Sequence, residues 1–490
     1  MGINESDLSR RDFMAKASKL GFGTAAMLYL ASCGGGDKSD GTDSTDATSK
    51  PGGFTGGGEK LKIGVVGIFS GVGAFTGRIV NNSLDAAVTE INATGGIGGR
   101  KVEVVKRDTG TDAAAGVKAY QAFAADKDVV GVVWAGAGLA ESLAQIERDN
   151  MPVVTVFNDL FSYDALYPKG KQRSVFQHAI PDKYNFDTLM KYAKEDRGYT
   201  RVGLMYDTLL SPNAKEFFTA AAKKHGITIT GVESYQLNDA DFGPQVRRLS
   251  SARGEALMVW GVAGDTAGLI KSIDKLGSGY VDTPTAKGAG WHPHILGSPG
   301  GTGEHTWADL AGSAAKSGTL TAWHMGGLVY LPSFAMRGWM KKHLNKTPTG
   351  AEEGPADGLY TILKGVEKAG STDRGKVVSA IETMGKIKFS SLEFGYTATN
   401  HLSKTEDEMI LITLERSTGA AKTDPAYQLG VEWKEVFAAG YVGPTHLVRP
   451  TLDANRRAHP DVVKELLDLG YGTQCTKHAD GSLGKECKVH

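Results

Sequence analysis

The chain has 490 residues, enough for two or more domains, and 65 of them are glycine, well above the usual share of about 7%. So many glycines fit both tight strand-to-helix loops and flexible linkers. Basic and acidic residues balance at 55 each, which leaves no electrostatic footprint for nucleic acid or an anionic membrane surface.

The chain opens with Ser9-Arg10-Arg11-Asp12-Phe13-Met14, a twin-arginine export motif. The apolar segment Leu20–Ala31 that follows is too short and too broken by glycine to span a bilayer. It ends in Leu30-Ala31-Ser32-Cys33, which matches a bacterial lipoprotein box. Cleavage before Cys33 and acylation of its thiol would leave a lipid anchor; the plainer reading is a cysteine near a signal-peptidase site. Gly34–Gly58 has almost no apolar side chains, so it cannot bury a core and is expected to be a disordered tether. The fold is expected to start near Glu59.

Leu61–Asp108 reads as strand, glycine-rich loop, helix, glycine-rich turn and strand. Leu61–Val66 is a short apolar run, and Val80, Leu84, Ala87, Val88 and Ile91 recur at helical spacing. Lys101–Val105 starts the next strand. That makes a βαβ unit, whose ligand end is the carboxyl end of its strands. The helix after the loop Ile68–Gly77 is expected to begin only at Gly77. Asp112 is the expected N-cap of a helix to Ala125. Strands Val129–Trp134 and Pro152–Phe157 flank a helix Leu139–Arg148 and complete four strands. Beyond Ile180-Pro181 the same grammar repeats. Strands fall at Arg201–Tyr206, Ile227–Val232, Ala256–Trp260 and His294–Gly297. Helices run to about His225 and at Phe242–Ser251 and Thr266–Leu276. Gly277–Pro293 reads as an inserted surface loop, and Thr319–Trp323 as a strand returning to the first lobe. Helices follow at Pro332–Asn345, Glu353–Ala369 and Thr372–Met384, then a strand at Met409–Leu414 and a short helix at Pro460–Leu469.

Ser70-Gly71 with Gly77, Ile91-Asn92 with Gly95-Gly96-Ile97, Gly99-Arg100-Lys101-Val102 and Asp108 form a specific combination. Together with Asp357-Gly358 and Glu367–Asp373, it resembles the type I periplasmic binding proteins, in particular the branched-chain (leucine/isoleucine/valine) class of ABC-transporter solute receptors. The likeness spans roughly Lys60–Thr413 in order and spacing. It implies an α/β fold of two Rossmann-like lobes joined by three crossings, near Ala179–Asp182, Gly318–Ala322 and Lys386–Leu402. Lobe 1 would hold residues 59–180 and 320–388, lobe 2 residues 181–319 and 389–414, and 415–490 would be an extension. It also implies a small ligand held between lobes that close by hinge motion, no chemistry on that ligand, no cofactor, a monomer, and an ABC permease as partner. The alternative within this fold is a sensory lipoprotein without a transporter.

Ligand contacts are expected from strand-end loops. In lobe 1 these are Ser70, Phe75, Thr76, Trp134, Ala135, Gly136, Ala137, Asn158 and Asp159; in lobe 2, Leu210, Ser211, Ala263, Asp265, Ser298 and Pro299. Phe75 either packs on a helix or covers the ligand. Ala135-Gly136-Ala137 matches a loop that is serine-rich in relatives, so only backbone N–H groups remain there for an anion. Pro299 stands where amino-acid binders place the acid that holds the α-ammonium. Since a buried ammonium without an acid is costly, either Asp159 or Asp265 takes that role or the ligand has no α-ammonium, and the second reading is preferred. Trp134, Trp260 and Trp323 sit at strand ends, where either core or cleft could hold them.

Gly71-Val72-Gly73-Ala74-Phe75-Thr76-Gly77 is one residue too long for a dinucleotide fingerprint, which weakens the reading as an exported nucleotide-dependent oxidoreductase. Cys475 and Cys487 are expected to pair as a disulfide in an oxidising compartment; with His478 and His490 they could instead supply four ligands of zinc type. Trp291-His292-Pro293-His294 is another possible metal spot, but two histidines in a loop are read as solvated, and no metal site is expected.

Overall fold

The structure is a computed structural model and describes residues 60–157, 173–276, 291–303, 305–316, 319–323, 350–387, 394–403, 410–416 and 433–437. The first sheet comprises β1 (Lys60–Gly67), β2 (Lys101–Asp108), β3 (Val129–Ala135), β4 (Val153–Thr155) and β5 (Val175–Gln177), interleaved with helices α1 (Ala74–Ala93), α2 (Ala113–Ala125) and α3 (Leu139–Asp149). Its order is β2-β1-β3-β4-β5, and every pair is parallel. The sequence dictates this burial. All seven residues of Val-Val-Gly-Val-Val-Trp-Ala in β3 are buried, as a strand covered on both faces requires. On α1 the stripe Val80, Leu84, Ala87 and Ile91 is buried against the sheet. Asp112 caps α2 by accepting the Ala114 N–H at 2.8 Å, as expected.

The second lobe runs α4 (Asp182–Lys191), β6 (Arg201–Asp207), α5 (Ala214–His225), β7 (Thr228–Tyr235), α6 (Gly243–Ala252), β8 (Ala256–Trp260), α7 (Ala263–Lys275) and β9 (His294–Gly297). The short helices α8 (Pro299–Thr302) and α9 (Thr306–Ala311) lead to β10 (Leu320–Trp323). The chain then supplies α10 (Glu353–Ala369), α11 (Arg374–Thr383), β11 (Gly385–Ile387), β12 (Phe394–Tyr396), β13 (Ile410–Arg416) and β14 (Trp433–Phe437). The second sheet has the order β14-β13-β10-β9-β8-β6-β7, parallel from β10 to β7 and antiparallel at β13 and β14.

Lobe boundaries differ from the expected ones. β10 hydrogen-bonds β9 and β13, so residues 320–323 belong to the second sheet and the return to lobe 1 comes after Trp323. Phe394 and Tyr396 of β12 are buried in the lobe 1 core with Leu359 and Ile362 of α10, so the third crossing follows Tyr396. β14 lies beyond residue 415 yet pairs with β13, so the expected extension begins inside the lobe 2 sheet. β5 and α4 were not legible in sequence: a three-residue strand has no period to detect. The expected helices at 332–345 and 460–469 lie outside the described residues.

The direction of the crossings positions the site. β5 leaves the first sheet at its carboxyl end, and α4 of lobe 2 begins five residues later. β10 leaves the second sheet at its carboxyl end, and antiparallel β13 enters beside it, with Trp323 opposite Ile410. The third crossing runs alongside the first: the Gln177 N–H donates to His401 O at 2.8 Å, the Ser403 N–H to Gln177 O at 2.9 Å, and the Ser403 hydroxyl to His178 O at 2.7 Å. The crossings therefore meet both sheets at their carboxyl edges.

Candidate functional site at the carboxyl edges of the two sheets

On lobe 1, the turn after β1 is tied to the turn after β2. The N–H groups of Phe69 and Gly110 donate to Asp108 Oδ1 at 2.7 and 2.9 Å. Partial burial works against the Asp108 charge, but hydrogen bonds from Ser70, Gly110 and Phe69 outweigh it and hold the carboxyl below its usual range. Ser70 is exposed and precedes the 3₁₀ turn Gly71–Gly73 without a side-chain capping bond to it. Phe75 and Thr76 are half-buried. Phe75 joins none of the apolar clusters, and Thr76 donates to Gly73 O at 2.8 Å. The helix starts at Ala74 rather than Gly77. Gly77 is glycine because its helix packs on the β1 turn: a Cβ there would stand 2.2 Å from Ile68 O.

The other expected lobe 1 contacts are more deeply placed. Trp134 is fully buried and its Nε1–H donates to Gly136 O at 2.9 Å, so its ring packs the core behind the edge and not the cleft. Ala135 is buried as the last residue of β3. Gly136 is held against Gly67, with room for no Cβ. The Ala137 N–H, offered above to an anion, points to Thr109 Oγ1 at 3.3 Å. Of the expected lobe 1 contacts among the described residues, Ser70 is exposed and Phe75, Thr76 and Ala137 are half-buried, while Trp134, Ala135 and Gly136 are buried. Asn158 and Asp159 lie outside the described residues, as do Cys33, Cys475 and Cys487, and Trp323 is described only as backbone.

On lobe 2 the edge is acidic. Asp207, the last residue of β6, is fully buried and folds the following turn by accepting the N–H groups of Leu209 and Leu210 at 2.9 and 2.7 Å. Leu210 and Ser211 are half-buried on that turn, and Leu209 is exposed. Asp265, in the first turn of α7 beside buried Ala263, is 4% exposed and accepts the Asn238 N–H at 3.0 Å. Asp182, at the start of α4, takes the Trp260 Nε1–H at 3.0 Å. Trp260 is itself core, stacked on Phe186 at 3.8 Å. Burial pushes the Asp182 and Asp265 carboxyls up to about 6, with Asp207 adding its charge to both, and burial raises Asp207 as well. Asp182 keeps part of its surface open, but its carboxylate is packed in protein. Ser298 is buried and occupied: its hydroxyl donates to Gly261 O at 2.8 Å and accepts the Gly301 N–H at 3.0 Å, capping α8. Pro299 follows it as the first residue of α8, half-buried.

Asp182 and Asp207 were missed in sequence. An acid closing an apolar strand was the available signal for Asp207; Asp182 had none, because α4 was not foreseen. Among the described residues no group of three or more His, Cys, Asp and Glu is arranged to hold a metal. A shallow depression lined by Asp85, Asn92, Lys101 and Glu103 lies toward the amino ends of β1 and β2, away from these edges; its Asp85 is paired with Lys106 at 2.6 Å.

Residues 60–419 match the family model described as periplasmic binding protein. The chain is 25% identical to Leu/Ile/Val-binding protein homolog 3 of Brucella melitensis over 348 residues, 70% of this chain and 89% of that one. The same fold occurs in the branched-chain amino acid transporter substrate-binding protein LivJ of Streptococcus pneumoniae, solved with isoleucine (TM-score 0.61, 16% identity, 77% of this chain and 100% of that one). It also occurs in a solute-binding protein of an ABC transporter from Rhodopseudomonas palustris, solved with 3,4-dihydroxybenzoic acid (TM-score 0.62, 16% identity, 74% of this chain and 95% of that one).

Proposed function

The chain belongs to the periplasmic binding protein family, in its type I, branched-chain amino-acid class, and from that premise we propose that it is the extracytoplasmic solute receptor of an ABC importer. It binds a small organic molecule (an amino acid, an amide or a carboxylate-like compound) between two lobes that close by hinge motion, and it performs no chemistry on it. The observation that carries this reading is the placing of the crossings at the carboxyl edges of both sheets, which are the ligand ends of parallel α/β sheets. Similar proteins solved with isoleucine and with a dihydroxybenzoic acid support a small organic ligand without choosing its class. In the same reading the twin-arginine signal exports the chain, Cys33 carries the lipid, residues 34–58 are the tether, and a monomer delivers its ligand to a membrane permease.

A thermal-shift screen of the full chain in detergent against amino acids, aromatic acids, dicarboxylates and amides tests it. A ligand that binds only the folded state raises the melting temperature, and a flat response across all four classes would refute the receptor reading. Uptake of the hit by cells lacking the protein then separates import from sensing. Lost uptake marks a transport receptor; normal uptake with a lost response marks a sensor.

A further inference from the structure

The outer edge of the lobe 1 sheet is open. β2 pairs with β1 alone in the order β2-β1-β3-β4-β5, so along its other side alternate N–H and C=O groups have no ladder partner. Its ladder is regular over all 8 residues, from Lys60↔Lys101 to Gly67↔Asp108, with no bulge, proline or glycine in the strand. Val102 and Val104 pack toward α1, and Val105 packs toward Tyr120 and Phe123 of α2. Neither helix covers the edge: Val104 and Val105 are only half-buried, and the depression lined by Val88, Asn92 and Val104 opens beside them. Open edges are commonly kept from pairing by outward lysines, bulges or glycine. In β2 the lysines are drawn back onto α1, where Lys106 Nζ meets Asp85 at 2.6 Å and Lys101 Nζ donates to Asn92 O. The open edge of the second sheet, β7, by contrast contains Gly231 next to a register shift in its pairing with β6, which blunts it. Arg107 lies over the Phe123 ring at 6.0 Å and forms no ion pair among the described residues.

We propose that two copies of this chain pair edge to edge through β2, antiparallel and across a two-fold axis at Val105, joining their lobe 1 sheets into one. The charges of the strand select a second copy and fix the register. A two-fold axis between antiparallel edge strands stands perpendicular to the sheet and keeps each face on its own side, so opposed residues differ by an even number of positions. Registers centred on Glu103 or Lys106 would set a charge against its own copy, and one centred on Val104 would set Lys101 against the partner's Arg107. Like charges directly opposite are destabilising. Centring on Val105 avoids all three. It sets Glu103 against the partner's Arg107 on both sides of the axis, and Val104 against the aliphatic stem of the partner's Lys106. Glu103 uses one carboxylate oxygen for an exposed pair with Lys60 at 3.0 Å, a weak contact that leaves the other oxygen for the guanidinium. The crossings run beside β5, at the far side of the sheet, so pairing at β2 does not load the hinge and each copy keeps its own cleft. The pairing goes beyond the receptor reading and replaces its monomer with a pair.

One strand pair is a small interface, of the size that gives transient complexes. Sedimentation velocity of the full chain in detergent is therefore run up to about 0.5 mM, enough to populate a complex with a Kd near ~1 mM. Two copies per particle are expected at the top of that range. Glu103→Arg and Arg107→Glu each set like charges across the axis and should weaken pairing about tenfold, while the double variant E103R/R107E restores opposite charges and should recover it. Oxidised Val105→Cys should cross-link to its own copy, because directly opposed Cα atoms lie about 4.5–5.5 Å apart. Glu103→Cys, whose copies stand about 13 Å apart along the strands, should not. Peptide mass spectrometry separates a link at 105 from any made by the native Cys33, Cys475 and Cys487. Should Val105→Cys fail to fold by circular dichroism, the charge reversals decide. A single copy throughout the range with no link at 105 overturns the proposal. So does a dimer that both reversals leave unchanged, which would place the contact on another face. The ligand screen is independent: a ligand can bind while pairing fails, and pairing can hold while no ligand is found.

Discussion

Substituting Asp265→Asn should change the pH dependence of stability in a direction set by its burial. The Asp265 carboxyl titrates at about 6 in the folded protein against an ordinary 3.8, with burial as the main cause. A carboxyl whose folded value is raised favours folding when protonated; that stability is present below the unfolded value and is lost as pH rises through about 6. The full span is about 2 units, or about 3 kcal/mol at about 1.4 kcal/mol per unit. Between about pH 4.5 and 7.5, where protonation is incomplete at the acid end, the wild type should lose about 2 kcal/mol from this group alone. Asparagine cannot titrate, so the stability of Asp265→Asn minus that of wild type should grow by about 2 kcal/mol over the same interval. Taking the difference removes the constant effects of the new amide, including any unmet N–H. Urea unfolding followed by circular dichroism at both pH values gives the number. A difference that stays flat, or grows toward acid, would refute the claim that Asp265 is held charged at neutral pH against its burial.

Three further outcomes test the frame around the site. Gly77→Ala adds a favoured helix residue, a gain of about 1 kcal/mol in an open helix, but its Cβ would meet Ile68 O at 2.2 Å and Phe69 Cα at 2.8 Å. Overpacking of this kind typically costs about 1–3 kcal/mol, so the melting temperature should fall, and a rise would disprove the packing argument. Arg374→Met should cost about 2–4 kcal/mol by denaturant midpoint, because the guanidinium donates to the carbonyls of Phe123, Ala124, Asp126 and Val129; Arg374→Lys should recover only part, having fewer donors in no fixed fork. His401, buried at the paired crossings, has its pKa pushed down to about 4 by burial. Its stability contribution is therefore present above the ordinary 6.5 and lost as pH falls toward 4, about 2 kcal/mol of it between about pH 7.5 and 5. His401→Asn should remove that acid-side loss, the opposite sign to Asp265, and a variant that follows the wild-type curve would show that His401 is not buried neutral.

The βαβ grammar was readable because it is local. An apolar run, a glycine-rich turn and a helical stripe such as Val80, Leu84, Ala87 and Ile91 each lie within one stretch of chain, and their periods declare strand or helix. Strand ends follow, so the loops at Ser70, Leu210, Ala263 and Ser298 could be named. What each side chain does on its loop was less legible. Trp134 and Ser298 sit at strand ends in sequence, yet the first is core and the second a helix cap, because their neighbours come from Gly136, Gly261 and Gly301 in the folded turns. β10 looked like a return to lobe 1 until its pairing with β9 and β13 assigned it to the second sheet, since pairing is a property of two strands and a single strand carries no record of its partner.

The amino-acid sequence by itself determined the parallel α/β units and the family likeness, both of which depend on residues adjacent or periodic along the chain. Only the tertiary structure decided where the charge lies. Asp207, Tyr235 and Asp265 are separated by whole strand-helix units, and the sheet order β8-β6-β7 sets their ends side by side. Burial then raises the energy of the two carboxylates, Asp207 and Asp265, because desolvation depends on everything packed around a group, whatever its distance along the chain.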